Sequence, residues 1–138
     1  MAEWLLALGP VVHRLDYGGR VGAVGRADPT AVSLLAAAHP LATLDVEGGA
    51  EPLAAGSYDL VCILAGLAEV PDPVGTARRA LRLVRPTGAL VVVEGSRSDA
   101  FADGPIAIGG WLLRAGAARV RIVAATASGF VLDARTTS

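Results

Sequence analysis

Tyr58-Asp-Leu-Val-Cys-Ile-Leu64 is a nearly unbroken apolar run, and it constrains the fold more than any other stretch of the chain. A strand with one wetted face alternates polar and apolar residues. A run this apolar must be covered on both faces, which is a property of parallel sheets flanked by helices. Asp72-Pro73 follows shortly after it: Asp suits a helix N-cap and Pro suits the first helical position. The pattern therefore predicts a helix from Pro73 to Val84, stopped by Pro86-Thr87-Gly88. Its apolar positions Val74, Ala77, Leu81 and Val84 share one face, with Arg78, Arg79, Arg82 and Arg85 mainly outside it. Ala89 to Glu94 is a second buried strand. Strand, helix and strand in this order place the chain in the α/β class.

The remaining elements extend the same alternation. Glu3 to Leu15 reads as a helical segment interrupted by Gly9-Pro10, and Asp16 to Gly19 as a turn. Arg20 to Val24 is the first strand. Asp28 and Pro29 open a helix that runs to Ala38 and ends at His39-Pro40. Leu41 to Val46 is the second strand, and Glu47 to Ser57 a loop rich in Gly, Ala and Pro. Beyond the central unit, Ser96 to Gly104 is a polar loop and Ile106 to Ala115 a helix weakened by Gly109-Gly110. Arg119 to Ala124 and Phe130 to Arg135 form a hairpin around Ser128-Gly129, and a terminal hairpin at one sheet edge makes the last strand antiparallel. A chain of 138 residues is one domain, 1–138, long enough to bury its own core.

Charge and residue usage exclude several partners. The formal net charge is −1 and the pI about 6.1, against nucleic acid or an anionic membrane as the main partner. Lysine, asparagine and glutamine are absent and all 12 basic residues are arginine, so recognition falls to backbone, carboxylates, Arg, Ser and Thr. Cys62 is the single cysteine and His13 and His39 are isolated, so neither a disulfide nor a metal site is expected. The apolar stretches are too short to cross a bilayer, and a soluble cytoplasmic protein is expected. A mean hydropathy of +0.53 favours a buried face in an oligomer.

Three segments carry a resemblance. Gly56-Ser-Tyr-Asp-Leu-Val-Cys-Ile-Leu64, Leu67-Ala-Glu-Val-Pro-Asp-Pro73 and Ala80-Leu-Arg-Leu-Val-Arg-Pro-Thr-Gly-Ala-Leu-Val-Val-Val-Glu94 together resemble the class I SAM-dependent methyltransferase superfamily. That family's usual wording is a Phe/Tyr-Asp-Leu-Val strand, a Val-Pro-Asp-Pro helix start, then Leu-Arg-Pro-Gly-Gly and a Val-rich strand ending in Glu. The tail Leu112 to Ile122 looks like the family's last helix and final hairpin. The resemblance implies a shortened Rossmann-like methyltransferase domain, with a mostly parallel sheet, a C-terminal antiparallel hairpin and S-adenosylmethionine (SAM) as cofactor.

The cofactor positions implied by the resemblance are only partly filled. The family carries an acidic residue and then Gly-x-Gly-x-Gly at the end of its first strand; here these are Ala23 and then Gly25, Ala27 and Pro29, of which only Gly25 matches. The acidic residue that holds the ribose hydroxyls is matched by Asp45, with Glu47 as a second candidate. A third motif, often Gly-Asp-Ala, has its nearest match in Gly48-Gly49-Ala50-Glu51, with Gly49 at the acidic position. Glu69, at the carboxyl end of a central strand where α/β ligands bind, is the candidate for a base or an acceptor-facing group. About a dozen residues separate Asp45 from Tyr58, too few for the strand and helix the family inserts there. Leu41 to Val46 therefore stands open between the family's second and third strands.

Methyl transfer asks mainly for a bound sulfonium cofactor and an aligned acceptor, so lost cofactor contacts matter more than any one catalytic side chain. SAM binding is accordingly expected to be weak or absent in the isolated chain. The first expectation is a non-catalytic or repurposed methyltransferase-like protein, binding a partner subunit, a second copy of itself or a different small molecule. A truncated sheet edge invites such pairing. The alternatives are a compact active methyltransferase for a small molecule such as a natural product, with Gly25 and Asp45 holding SAM, and a self-associating structural module. The arginine face of the Pro73 helix is expected to be solvated or to dock an acidic partner.

Overall fold

Strands β1 (Gly19–Val24), β2 (Ala42–Val46), β3 (Tyr58–Leu64), β4 (Val84–Gly95), β5 (Arg119–Thr126) and β6 (Gly129–Arg135) join in one sheet, with helices α1 (Pro73–Leu83) and α2 (Gly104–Arg114). The computed structural model describes residues 19–24, 32–33, 36–37, 41–47, 52–64, 67, 70–95, 104–126 and 129–136. The strand order is β2-β1-β3-β4-β6-β5. The first four pair in parallel, and β6 is antiparallel to both β4 and β5. The shortened Rossmann-like architecture read from the sequence, with its closing hairpin, is therefore the fold. Residues 32–33 and 36–37 are helical, within the helix expected after β1. The expected helix over Glu3 to Leu15, together with His13, Asp28 and His39, lies outside the described residues.

Two details refine the sequence reading. The hairpin lies at one edge of the sheet, as expected, and its outer strand is β5: β6 is inserted between β4 and β5. Residue character explains the choice. Phe130 to Ala134 are all buried, whereas Arg119, Arg121 and Ile122 of β5 are exposed. Asp133 is the polar member of that buried run, and it meets Arg121 at 3.1 Å and Arg135 at 3.3 Å. The other is at the end of α1, where the structure departs from the reading. The helix stops at Leu83, and Val84 already has extended backbone and opens β4, ahead of Pro86.

Both sheet faces are buried, as the apolar run of β3 requires. Val61 and Ile63 face α1 and α2 in one core cluster, with Leu90, Val92, Leu132, Ala77, Leu81, Ile108 and Leu112. Leu60 and Cys62 belong to the opposite cluster with Val21, Val91, Val93 and Val131, against which Val32 packs. Burial of each such aliphatic side chain stabilises the fold by roughly 1.5–3 kcal/mol. Cys62 is a core residue here, and burial pushes its thiol up to about 12, far from a reactive thiolate.

The helix ends follow their local chemistry. The Asp72 carboxylate accepts a hydrogen bond from the Gly75 N–H at 3.0 Å, with Pro73 in the first turn. Asp72→Ala is expected to lower stability by about 1 kcal/mol, read as a shift of the urea midpoint at constant m value. At the far end of α2, Ala117 N–H donates to the Leu112 carbonyl and Gly116 N–H to that of Leu113, both at 3.1 Å. This double closure needs left-handed backbone, which Gly116 supplies at φ +114°.

The topology answers the question the sequence left open. In the doubly wound order 3-2-1-4-5-6 the second strand lies directly beside the first. Strand β2 pairs with β1 from Gly19↔Ala42 to Ala23↔Val46, so it takes the second place. No described strand takes the third, which is where the sequence is short. The chain turns outward from β1 to β2 and then places β3 on the other side of β1. Ligands of such sheets bind at that reversal, above the carboxyl ends of the strands.

Candidate functional site

Register sets the height of each carboxylate. Gly22 faces Asp45 and Ala23 faces Val46, and the Glu47 N–H donates to the Ala23 carbonyl at 2.8 Å. Glu47 is therefore level with Val24, at the carboxyl rim of β1 and β2. Asp45 lies two residues below, about 6–7 Å down the strand. Of the two ribose candidates, Glu47 stands at the height where a ligand above the sheet would lie. Gly25, Gly49 and Glu69, like Ala27 and Pro29, lie outside the described residues.

Asp45 belongs to a polar cluster on the sheet face. Its carboxylate accepts from the Tyr58 hydroxyl at 2.8 Å and from the Arg20 guanidinium at 2.9 Å. The Tyr58 ring lies against Gly22, where a β-carbon would come within 3.3 Å of it, and Arg20 sits over that ring at 4.9 Å. The Tyr58 hydroxyl, followed by Arg20, holds the Asp45 carboxyl below its usual range. Burial and the same hydrogen bond push the Tyr58 phenol upward. The cluster lies on the sheet face that α1 and α2 cover, beside the core that Tyr58 joins.

Glu47 is held differently. Arg79, from the middle of α1, grips it with a two-pronged fork: Nε to Oε2 and a terminal nitrogen to Oε1, both at 2.8 Å. The pair is partly exposed, with the Arg79 side chain half accessible. The hydrogen bond to Glu47 is the main reason that the Arg79 guanidinium binds its proton more tightly than usual. Arg85 similarly reaches Asp59 at 2.9 Å, while the second oxygen of Asp59 accepts the Arg20 N–H at the start of β1. The arginine face of α1 is thus not simply solvated. Of the four arginines read as that face, Arg79 of α1 and Arg85 at the start of β4 are committed to carboxylates, at the end of β2 and on β3.

Sequence reasoning missed Arg20, Tyr58 and Arg79 as partners of the two candidate carboxylates. Only one of them carried a signal: a tyrosine at a strand position that tolerates phenylalanine brings a hydroxyl that must find an acceptor when buried. Among the described residues no group of three His, Cys, Asp or Glu side chains could hold a metal ion, and no helix is long and apolar enough to cross a membrane.

Comparison with known proteins gives a consistent picture. A family model described as a methyltransferase domain matches residues 4–92. No curated protein matches the chain. Among solved structures, an O-methyltransferase family protein from Burkholderia thailandensis superposes with a TM-score of 0.65 at 16% identity, over 97% of this chain and 57% of its own. Human N-acetylserotonin methyltransferase in complex with SAM gives 0.67 at 14% identity, over 99% of this chain and 51% of its own. A chain of the Haloferax volcanii complex between the Trm112 methyltransferase activator and its methyltransferase gives 0.66 at 11% identity, over 100% of this chain and 92% of its own. The chain thus spans little more than half the length of the first two.

Proposed function

Because the chain belongs to the methyltransferase-domain family, within the class I SAM-dependent superfamily, we propose that it is a methyltransferase-fold domain that does not hold SAM productively on its own and works as the subunit of a larger assembly. One observation carries this reading. Both carboxylates that could take the ribose diol are already engaged within the chain, Glu47 by the fork of Arg79 and Asp45 by Arg20 and Tyr58. A ribose diol and a guanidinium fork both need two parallel hydrogen bonds to the same carboxylate edge. The residues present therefore fit the cofactor only if Arg79 leaves Glu47. When bound, SAM supplies an electrophilic methyl group.

The sheet edge supports association. β2 is one of the two outermost described strands, and Leu41 beside it is 78% exposed. An open edge of this kind is commonly covered by another chain. The neighbour found with the Trm112 activator matches this chain over nearly its whole length, which is the closest parallel in size among the three compared. A second reading, a compact active methyltransferase for a small molecule, draws on the position of Glu47 at the carboxyl rim.

Titration calorimetry of the purified chain with SAM and with S-adenosylhomocysteine (SAH) separates the two. Little or no heat at millimolar ligand is the expected result. Micromolar binding that disappears in Glu47→Ala would overturn the proposal and make the chain an enzyme candidate.

A further inference from the structure

The fork of Arg79 on Glu47 has a consequence for ligand affinity, and it rests on the reading of Glu47 as the carboxylate nearest a nucleoside ligand. Arg79 is on α1, which follows β3; Glu47 follows β2. The pair therefore links the two sides of the point where the chain reverses around β1, at the rim where a ribose would arrive. A carboxylate that binds a vicinal diol offers one oxygen to each hydroxyl, and Arg79 takes one oxygen with each of two nitrogens, at 2.8 Å and 2.8 Å. We propose that Arg79 is an internal stand-in for the ribose diol: it occupies Glu47 in the free chain, and a nucleoside ligand must displace it to bind.

The magnitude follows from the exposure of the pair. Arg79 and Glu47 side chains are 50% and 32% accessible, so the pair is an exposed ion pair of good geometry and not a buried one. Such pairs are displaceable, at a cost that corresponds to about a fivefold change in affinity or somewhat more. Removing Arg79 must therefore raise nucleoside affinity by about that factor. The opposite role, in which Arg79 orients Glu47 for the ligand, predicts that affinity falls.

The experiment is a titration of SAH to millimolar concentration, followed by backbone amide chemical shifts, which reads dissociation constants up to that range. Wild type, Arg79→Gln, Arg79→Lys and the double variant Arg79→Gln/Glu47→Gln are compared, with melting temperatures to confirm that each is folded. Arg79→Gln should bind about fivefold more tightly than wild type. Arg79→Lys, which keeps the charge and loses the fork, should gain less, and the double variant should lose the gain. An Arg79→Gln chain that binds no better than wild type, or worse, overturns the stand-in, as does a gain that survives loss of Glu47. The outcome is separate from that of the proposed function. Tight binding by wild type sinks the non-catalytic reading, while the ratio between Arg79→Gln and wild type tests the stand-in in either case.

Discussion

Replacing Gly88 with alanine should lower the stability of the domain by about 3 kcal/mol or more, at the upper end of what overpacking costs. An added β-carbon at this position would lie 2.6 Å from the Asp59 carbonyl oxygen, 2.9 Å from that of Tyr58 and 2.9 Å from a methyl of Val84. Two of those three neighbours are backbone of β3, which cannot rotate away as a flexible side chain does. The close approach arises because β4 pairs with β3 at Tyr58↔Val84 and then at Leu60↔Ala89. The intervening residues loop out from the pairing, and Gly88 is where β4 returns to it. Urea unfolding should show a lower midpoint with an unchanged slope, and thermal unfolding a Tm lower by roughly 10 °C. A change below 0.5 kcal/mol would mean that β4 shifts at no cost, and that the steric account is wrong.

Gly88 also shows what a family-like pattern encodes. The resembling wording has two glycines after Leu-Arg-Pro, and this chain has Thr87 and Gly88. Thr87 is exposed and Gly88 buried, so the position that keeps its glycine is the one pressed against backbone. The central unit was legible for this reason. Buried runs, the Asp72-Pro73 helix start and the apolar stripe of α1 are local patterns with one physical outcome each. Even the shortfall of residues between Asp45 and Tyr58 was readable as a missing unit. Which strand was missing was not, because it depends on what β2 pairs with.

The candidate site was less legible for the same reason. Asp45 and Glu47 are two apart in sequence and both acidic, and their types and spacing point equally to a ribose ligand. Only the register of β2 on β1 separates them in height. Their partners are further still from local pattern. Arg20 is one strand away from Asp45, and Arg79 reaches Glu47 from α1, beyond β3. Charges at such separations in sequence meet through topology, and periodicity carries no trace of them. The position of β6 inside the sheet is intermediate: its buried run was visible, but a hairpin alone does not say which of its strands faces the sheet.

Tyr58→Ala is the second substitution with a large expected effect, about 3–5 kcal/mol for an aromatic side chain that is 1% exposed. The ring covers Gly22, supports Arg20 and delivers the hydroxyl to Asp45. Tyr58→Phe keeps the first two contacts and removes only the third, and should cost about 1 kcal/mol. The pH dependence separates the two roles. The Asp45 carboxyl is held below its usual range by the Tyr58 hydroxyl first and Arg20 second, so it contributes stability above about pH 4 that is lost as pH falls through its folded pKa. The Tyr58 phenol is raised, so it contributes stability below about pH 10 that is lost as pH rises through its folded value. Tyr58→Phe should therefore flatten both limbs of the stability profile, measured by urea unfolding from pH 3 to 11. A Phe variant with the wild-type profile would show that Tyr58 acts through its ring alone. In that case Arg20 by itself holds Asp45, and the cluster reduces to a single exposed ion pair that contributes little to stability.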